Sequence, residues 1–532
     1  GSFVAGLDAT VVNVALPAIE RSLGGGLAGQ QWVSNGYLLT LGSLILVGGS
    51  LGDVFGERRV FELGVGGFGA ASVLCAVAPS IGFLIGARAL QGVFGALLAP
   101  SALAVIVAAF PPAERGAAIG SWTAWSGIAA VVGPFVGGAL IDAASWRWIF
   151  AVNIPFVLAT IVLVRRAVPA RAPGGVRRAV DWAGAGLCAV GLAGPVFALI
   201  RQPAVGWSSP EVVGGLAGGV AFLGLFLVRE GRTGDPMLPL GLFRRRNFAV
   251  GNLETLSMYG GLSITFFLLV LYLQQVAGYR ALEAGLATLP STVVMFVSSK
   301  RFGALADRFG PRRFMGGGPL VAAAGLAYLA RMPARVDYVV DVLPGLVVFS
   351  IGLAMTVAPL TATVLADADE SNAGIASGVN NAVARVAGLM AIAATGAIVA
   401  GTFTATIDRA LAGRTLSGAG RAAVAAARHE TLARAATAGL AGPEARVVAG
   451  AVERASVKAF HTGIGIAAAL VGLGGLLGLA GIVDPRRRVA AEGCGGGQIV
   501  GVPEEVGDCW PDEPAGGVGV GAVGAVAGRE NG

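Results

Sequence analysis

Charge is what this sequence has least of. Only 13% of its 532 residues are Asp, Glu, Lys or Arg, against roughly 25% in soluble domains. That deficit excludes an ordinary globular core. Lysine is scarcer still, with Lys300 and Lys458 alone. No GxxxxGK(S/T) motif is present, so ATP drive within this chain is not expected. The two histidines, His429 and His461, are far apart and belong to no ligand motif. The four cysteines form no CxxC pair, so neither a zinc site nor a disulfide framework is expected. Cys75 and Cys188 fall in apolar spans, where cysteine acts as a small hydrophobe; Cys494 and Cys509 lie in the tail.

What the sequence has is long apolar runs. Hydrophobic residues make up 55% and mean hydropathy is +0.75. A run of roughly 20 apolar residues spans the hydrocarbon as a helix. Fourteen such spans are read, at about 2–19, 32–51, 61–79, 82–105, 117–141, 148–164, 182–200, 211–228, 248–275, 284–299, 314–330, 340–360, 374–400 and 459–483. The 85 glycines have no collagen period and suit close helix packing in a membrane. The first run carries Asp8 and Asn13 and no small-residue cleavage site, so it is not expected to be a cleaved signal. The chain starts without Met inside that run, and residues upstream of Gly1 are expected.

One segment occurs twice. Residues 49–59 and 303–313 agree at seven of eleven positions: Gly49/Gly303, Leu51/Leu305, Asp53/Asp307, Phe55/Phe309, Gly56/Gly310, Arg58/Arg312 and Arg59/Arg313. An internal repeat between apolar segments marks a transporter built from two similar halves. The copies are 254 residues apart (303 − 49), following spans two and ten. The plan is therefore an N-terminal six-helix half (1–164), two inserted helices with cytoplasmic loops (165–247) and a C-terminal six-helix half (248–485). An outer loop at 401–458 with one or two amphipathic helices and a disordered Gly-rich cytoplasmic tail (486–532) complete it.

The pI near 9.7 does not point to nucleic acid, because the basic residues sit in short loops without aromatic interleaving. They read as topology signals. Eighteen arginines and lysines, from Arg58 to Arg313, fall in one set of short loops and six in the other. Both copies of the repeat, and both termini, are thus expected on the cytoplasmic side of the cell membrane.

Four ionisable residues lie inside predicted spans: Asp8, Arg88, Glu254 and Arg385. A charge in hydrocarbon costs at least roughly 2.5–3.5 kcal/mol, so such residues face a bundle interior and pair or act. A buried carboxylate is raised in pKa by desolvation and lowered by a nearby arginine, a balance that suits proton coupling. Residues 127–138 place Gly133, Pro134, Gly137 and Gly138 on a small-residue packing face with a kink.

Together these segments resemble the major facilitator superfamily, in its fourteen-helix drug:proton antiporter family (EmrB/QacA type). Leu7 to Pro17 is similar to that family's helix 1 signature, and Gly49 to Arg59 to the loop 2–3 motif. Arg88, Gln91 and Gly92 match the helix 4 motif, and Gly133 to Gly138 the helix 5 antiporter motif. Trp146 to Pro155 and Gly374 to Asn381 resemble the segments that follow helix 5 and open helix 13. The departure is Glu57, where the loop motif is commonly basic or small.

The resemblance implies an all-α major facilitator fold, export, and a loop motif that stabilises the outward-open state. It implies that Asp53 contacts helix 11, that Arg58 and Arg59 grip the cytoplasmic gate with Gly49 and Gly56, and that Arg88 serves coupling. Asp307, Gly310, Arg312 and Arg313 are the second copy of the gate. The expected function is proton-driven export of lipophilic or cationic drugs by a monomer, with no cofactor and no enzymatic activity. A dedicated exporter of one antibiotic and a non-transporting sensor are the other readings. The substrate cavity is expected among Asn13, Asn35, Tyr37, Trp122, Trp125, Met258, Tyr259, Phe266 and Met295, since aromatic and Met residues suit such ligands.

Overall fold

Backbone polar groups in hydrocarbon must be satisfied within their own segment, and the apolar runs accordingly form helices. The computed structural model describes residues 2–109, 132–168, 181–234, 236–366, 373–429, 431–432, 439–484, 489–490 and 508–509. The first half contains α1 (Ser2–Leu23), α2 (Gly26–Phe55), α3 (Glu57–Ala76) and α4 (Ile81–Ala109). It continues with α5 (Val132–Ala143), α6 (Trp148–Ala151) and α7 (Asn153–Ala167). The inserted pair is α8 (Trp182–Val205) and α9 (Pro210–Glu230). The second half contains α10 (Arg246–Gln275), α11 (Ala281–Phe309), α12 (Pro311–Leu329), α13 (Leu343–Ala366), α14 (Ala373–Leu411), α15 (Gly418–His429) and α16 (Gly442–Gly481).

Described helix overlaps each of the fourteen predicted spans, the fifth over residues 132–141 alone. Among the described residues, eleven helical stretches are long and apolar enough to cross a membrane. The second, fifth and eleventh spans are represented by α2, the described part of α5, and α12. The sixth span is broken at Val152, and Pro155 falls in the first turn of α7, where its missing N–H costs nothing.

The helix packing repeats at the offset of the sequence repeat. In the first half α2 and α3 both pack on α4, and α3 packs on α7. In the second half α11 and α12 pack on α13, and α12 packs on α16. The repeat glycines share one backbone state: Gly56 has φ 89° between α2 and α3, and Gly310 has φ 87° between α11 and α12. That region suits glycine because it has no Cβ. The repeat arginines share one role as well. Arg58 donates to the carbonyls of Val168 and, at 3.4 Å, Arg165, at the end of α7. Arg312 donates to the Leu479 carbonyl at the end of α16, at 2.7 Å. Each satisfies orphan carbonyls at the C-terminus of its own half's last long helix.

The outer loop differs from expectation. Residues 401–411 continue α14 and residues 442–458 open α16. At 39 and 40 residues these helices run to about 60 Å, twice the hydrocarbon thickness. The Ala-, Arg- and Glu-rich sequence keeps its helix propensity after hydropathy has fallen. Among the described residues of this segment, α15 is the separate amphipathic helix. The inserted pair lies over the seam between the halves. Leu192, Val196 and Ile200 of α8 pack against Leu389 and Ala393 of α14 and against Trp32 and Leu39 of α2. Residues 1–482 form one compact unit. In the tail unit, Val489–Ala490 pairs antiparallel with Asp508–Cys509.

Candidate functional site

Asp8 lies mid-helix in α1 and is 1% exposed. A charge there needs a partner, and Arg88 of α4, 2% exposed, supplies it. Arg88 Nη1 donates to Asp8 Oδ2 at 2.6 Å and to Gln91 Oε1 at 2.6 Å. Arg88 Nε donates to the Val33 carbonyl at 3.2 Å. The guanidinium also stacks over Tyr37 at 4.4 Å and lies 5.8 Å from the Phe150 ring, contacts that favour a desolvated cation. Asp8 Oδ1 accepts from Gln91 Nε2 at 3.0 Å and from Asn153 Nδ2 at 3.1 Å. Both amides also donate to Ser72 Oγ, at 2.9 and 3.3 Å. Five buried polar side chains from α1, α3, α4 and α7 therefore form one closed network.

The motif glycines explain how these helices come so close. A Cβ on Gly92 would run into Thr40 and the Tyr37 carbonyl of α2. In α5, a Cβ on Gly133 would strike Thr10 of α1, and one on Gly137 would lie 2.7 Å from Val11 Cγ1. Gly138 faces the other half, where a Cβ would lie 2.5 Å from Leu282 Cα of α11. Gly285 of α11 in turn meets the Pro134 carbonyl. The antiporter segment thus packs α5 on α1 and on the second half at once.

Three hydrogen bonds between the halves lie toward the predicted outer side. Leu282 N–H donates to Asp142 Oδ2 at 3.0 Å. Gln31 Nε2 donates to the Ile392 carbonyl at 2.7 Å, and Gln274 Nε2 to the Val14 carbonyl at 2.8 Å. Gly138→Val is expected to part α5 from α11, since overpacking costs about 1–3 kcal/mol. In an otherwise functional Leu282→Cys background, the thiol should react faster with a membrane-impermeant maleimide. Unchanged reactivity would mean that Gly138 does not hold this seam.

The other predicted residues fall in several places. Glu254 of α10 is 0% exposed, and neither carboxylate oxygen has a hydrogen-bond partner among the described residues. It lies against α16, with Oε2 3.0 Å from where a Gly478 Cβ would stand. The structure does not bring it to the Asp8 network. Arg385 of α14 is exposed, and its Cβ lies 3.4 Å from where a Gly42 Cβ would stand.

Of the cavity candidates, Tyr37, Asn35 and Met258 are buried, and Asn13, Tyr259, Phe266 and Met295 are half-buried. Phe266 sets its ring against Phe349 at 6.3 Å. Neither amide atom of Asn35 has a partner among the described residues. Trp122 and Trp125 lie outside the described residues, as do the side-chain surroundings of Gly49 and Asp53. Arg58, expected at the gate, finds its partners within its own half, including Glu62 at 2.8 Å; Arg59, Asp307 and Arg313 are exposed. A cleft of about 320 Å³ is lined by Arg414, Pro443, Arg446, Val447 and Arg454 of the outer segment, none of them a predicted cavity residue.

Sequence reasoning found Asp8, Arg88 and Gln91 but not Ser72 or the role of Asn153. Asn153 left a signal, a lone amide inside the sixth predicted span. Ser72 left none, since a serine in a membrane helix commonly bonds its own backbone, as this one also does to the Phe68 carbonyl.

Two packed helical halves, an inserted pair over their seam and a closed charge network inside one half define a membrane transporter. The Major Facilitator Superfamily model matches residues 1–392. The chain is 38% identical over 395 residues to a puromycin resistance protein of Streptomyces alboniger, covering 73% of this chain and 77% of that one. It is 34% identical over 408 residues to the tetracenomycin C resistance and export protein of Streptomyces glaucescens, covering 75% and 74%. Among solved structures, a bacterial homologue of the human lysosomal transporter Spinster shares the fold, with a TM-score of 0.58, 18% identity and coverage of 91% and 96%. The chain belongs to the Major Facilitator Superfamily, a family of transporters rather than enzymes.

Proposed function

We propose that this protein exports lipophilic small-molecule drugs or antibiotics across the cytoplasmic membrane in exchange for protons. The observation that carries the reading is the closed network around Asp8. A mid-membrane carboxylate held by one arginine and two amides has two defined states. When Asp8 is charged, it pairs with Arg88. When it is protonated, Arg88 keeps Gln91, the Val33 carbonyl and two aromatic rings. Those contacts lower the cost of parting the pair, which suits a proton-dependent switch.

Resistance and export in the relatives' names support the drug-efflux reading. Both names refer to single compounds, which favours a dedicated antibiotic exporter as the second reading. The intact network argues against a sensor that has lost transport. No cofactor is required when a proton gradient drives the cycle, and the chain works as a monomer with both termini in the cytoplasm. Dye uptake into everted vesicles, whose cytoplasmic face is outward, under an imposed pH gradient tests the proposal. Uptake that persists after the gradient is collapsed by an uncoupler contradicts it.

The repeat loops carry a further expectation. Asp53→Asn and Asp307→Asn should both slow extrusion, the first more, because each aspartate sits beside a helix junction at the proposed cytoplasmic gate. Wild-type rates in correctly inserted variants would remove both aspartates from the gate.

A further inference from the structure

Of the four charges predicted inside spans, three are withdrawn from any cavity. Asp8 and Arg88 neutralise each other, and Glu254 is buried against the glycine face of α16. Arg385 alone among the four is exposed. It lies 12 residues into α14, about 18 Å along the helix axis, well inside the apolar stretch Ala376–Leu411. Its Cβ faces Gly42 of α2. Arg385 therefore stands where both halves meet. It forms no hydrogen bond or ion pair among the described residues.

A cation at that depth is tolerable while water reaches it and becomes costly when the halves close. Closure then requires a counter-charge. The described carboxylates in the spans do not supply one: Asp8 is committed to Arg88, and Glu254 is held elsewhere. A guanidinium presents donors in a planar fork that fits a carboxylate or an ionised phenol. We propose that Arg385 is the recognition point of the cavity for an acidic group, and that the exported compounds are amphipathic organic anions rather than cations. This rests on the efflux reading above and narrows it. It also replaces the expectation of cationic drugs drawn from the aromatic and Met residues alone, since Arg385 adds repulsion against a cation to attraction for an anion.

The test uses the full chain in proteoliposomes and two fluorescent probes of opposite charge, carboxyfluorescein and ethidium. Binding is read separately in detergent by quenching of tryptophan fluorescence. R385Q should lower the ratio of carboxyfluorescein to ethidium transport by about tenfold, the loss of one charge-assisted hydrogen bond. R385K, which keeps the charge but not the fork, should fall between wild type and R385Q. R385Q should also weaken carboxyfluorescein binding about tenfold. An unchanged ratio in a correctly folded R385Q overturns the proposal, as does a wild-type protein that moves ethidium and not carboxyfluorescein; the efflux reading would survive both. Saturable carboxyfluorescein binding that weakens in R385Q, with no transport of either dye under a pH gradient, would uphold Arg385 and overturn the efflux reading.

Discussion

Asp8→Asn leaves the protein inserted and folded but abolishes proton-driven efflux, because no carboxylate remains at that position to gain and release the proton. Asparagine matches aspartate in size and can still accept from Gln91 and Asn153 at the Oδ1 position. Arg88 keeps the Gln91 and Val33 oxygens and the Tyr37 ring. The variant loses the Arg88–Asp8 ion pair and with it the group that gains and releases a proton, while Arg88 keeps its other partners. Uptake into everted vesicles is measured beside thermal unfolding of the purified variant. Full efflux at wild-type stability would remove Asp8 from the mechanism.

Arg88→Ala is expected to cost far more in stability. It strands Asp8 Oδ2, which has Arg88 as its partner, and leaves a charge in a site 1% exposed. Breaking a buried pair from one side costs about 3–5 kcal/mol. The cation also fills the space beside Tyr37 and Phe150, so a cavity adds to the loss. Asp8→Asn combined with Arg88→Ala should recover part of that stability, because no uncompensated charge remains. A double-mutant cycle on thermal unfolding reads the interaction directly. Additive effects of the two changes would mean that the pair is not coupled.

The transmembrane spans were legible because hydropathy and the hydrogen-bonding demand of the bilayer act on the same segments. The repeat then predicted two similar halves, and Gly56 and Gly310 show its two copies in one backbone state. Helix ends were less legible where chain leaves the hydrocarbon without leaving the helix, as at Leu411 and Gly442. In the site, Asp8 and Arg88 were readable because charges are scarce in membrane helices, and one predicts the other. Glu254 and Arg385 obeyed the same rule and still separated. Depth along a helix is written in the sequence, but the side on which a charge faces is set by packing, here by Gly474 and Gly478 beside Glu254 and Gly42 beside Arg385. The three motif glycines of α5 read as generic packing residues until the structure divided them between α1 and α11.

Exchange itself is tested most directly in proteoliposomes that hold a pH-sensitive dye and carry no imposed gradient. A substrate gradient alone should drive protons in the opposite direction, and Asp8→Asn should abolish that proton movement. Substrate flux that proceeds with no change in internal pH would contradict proton antiport.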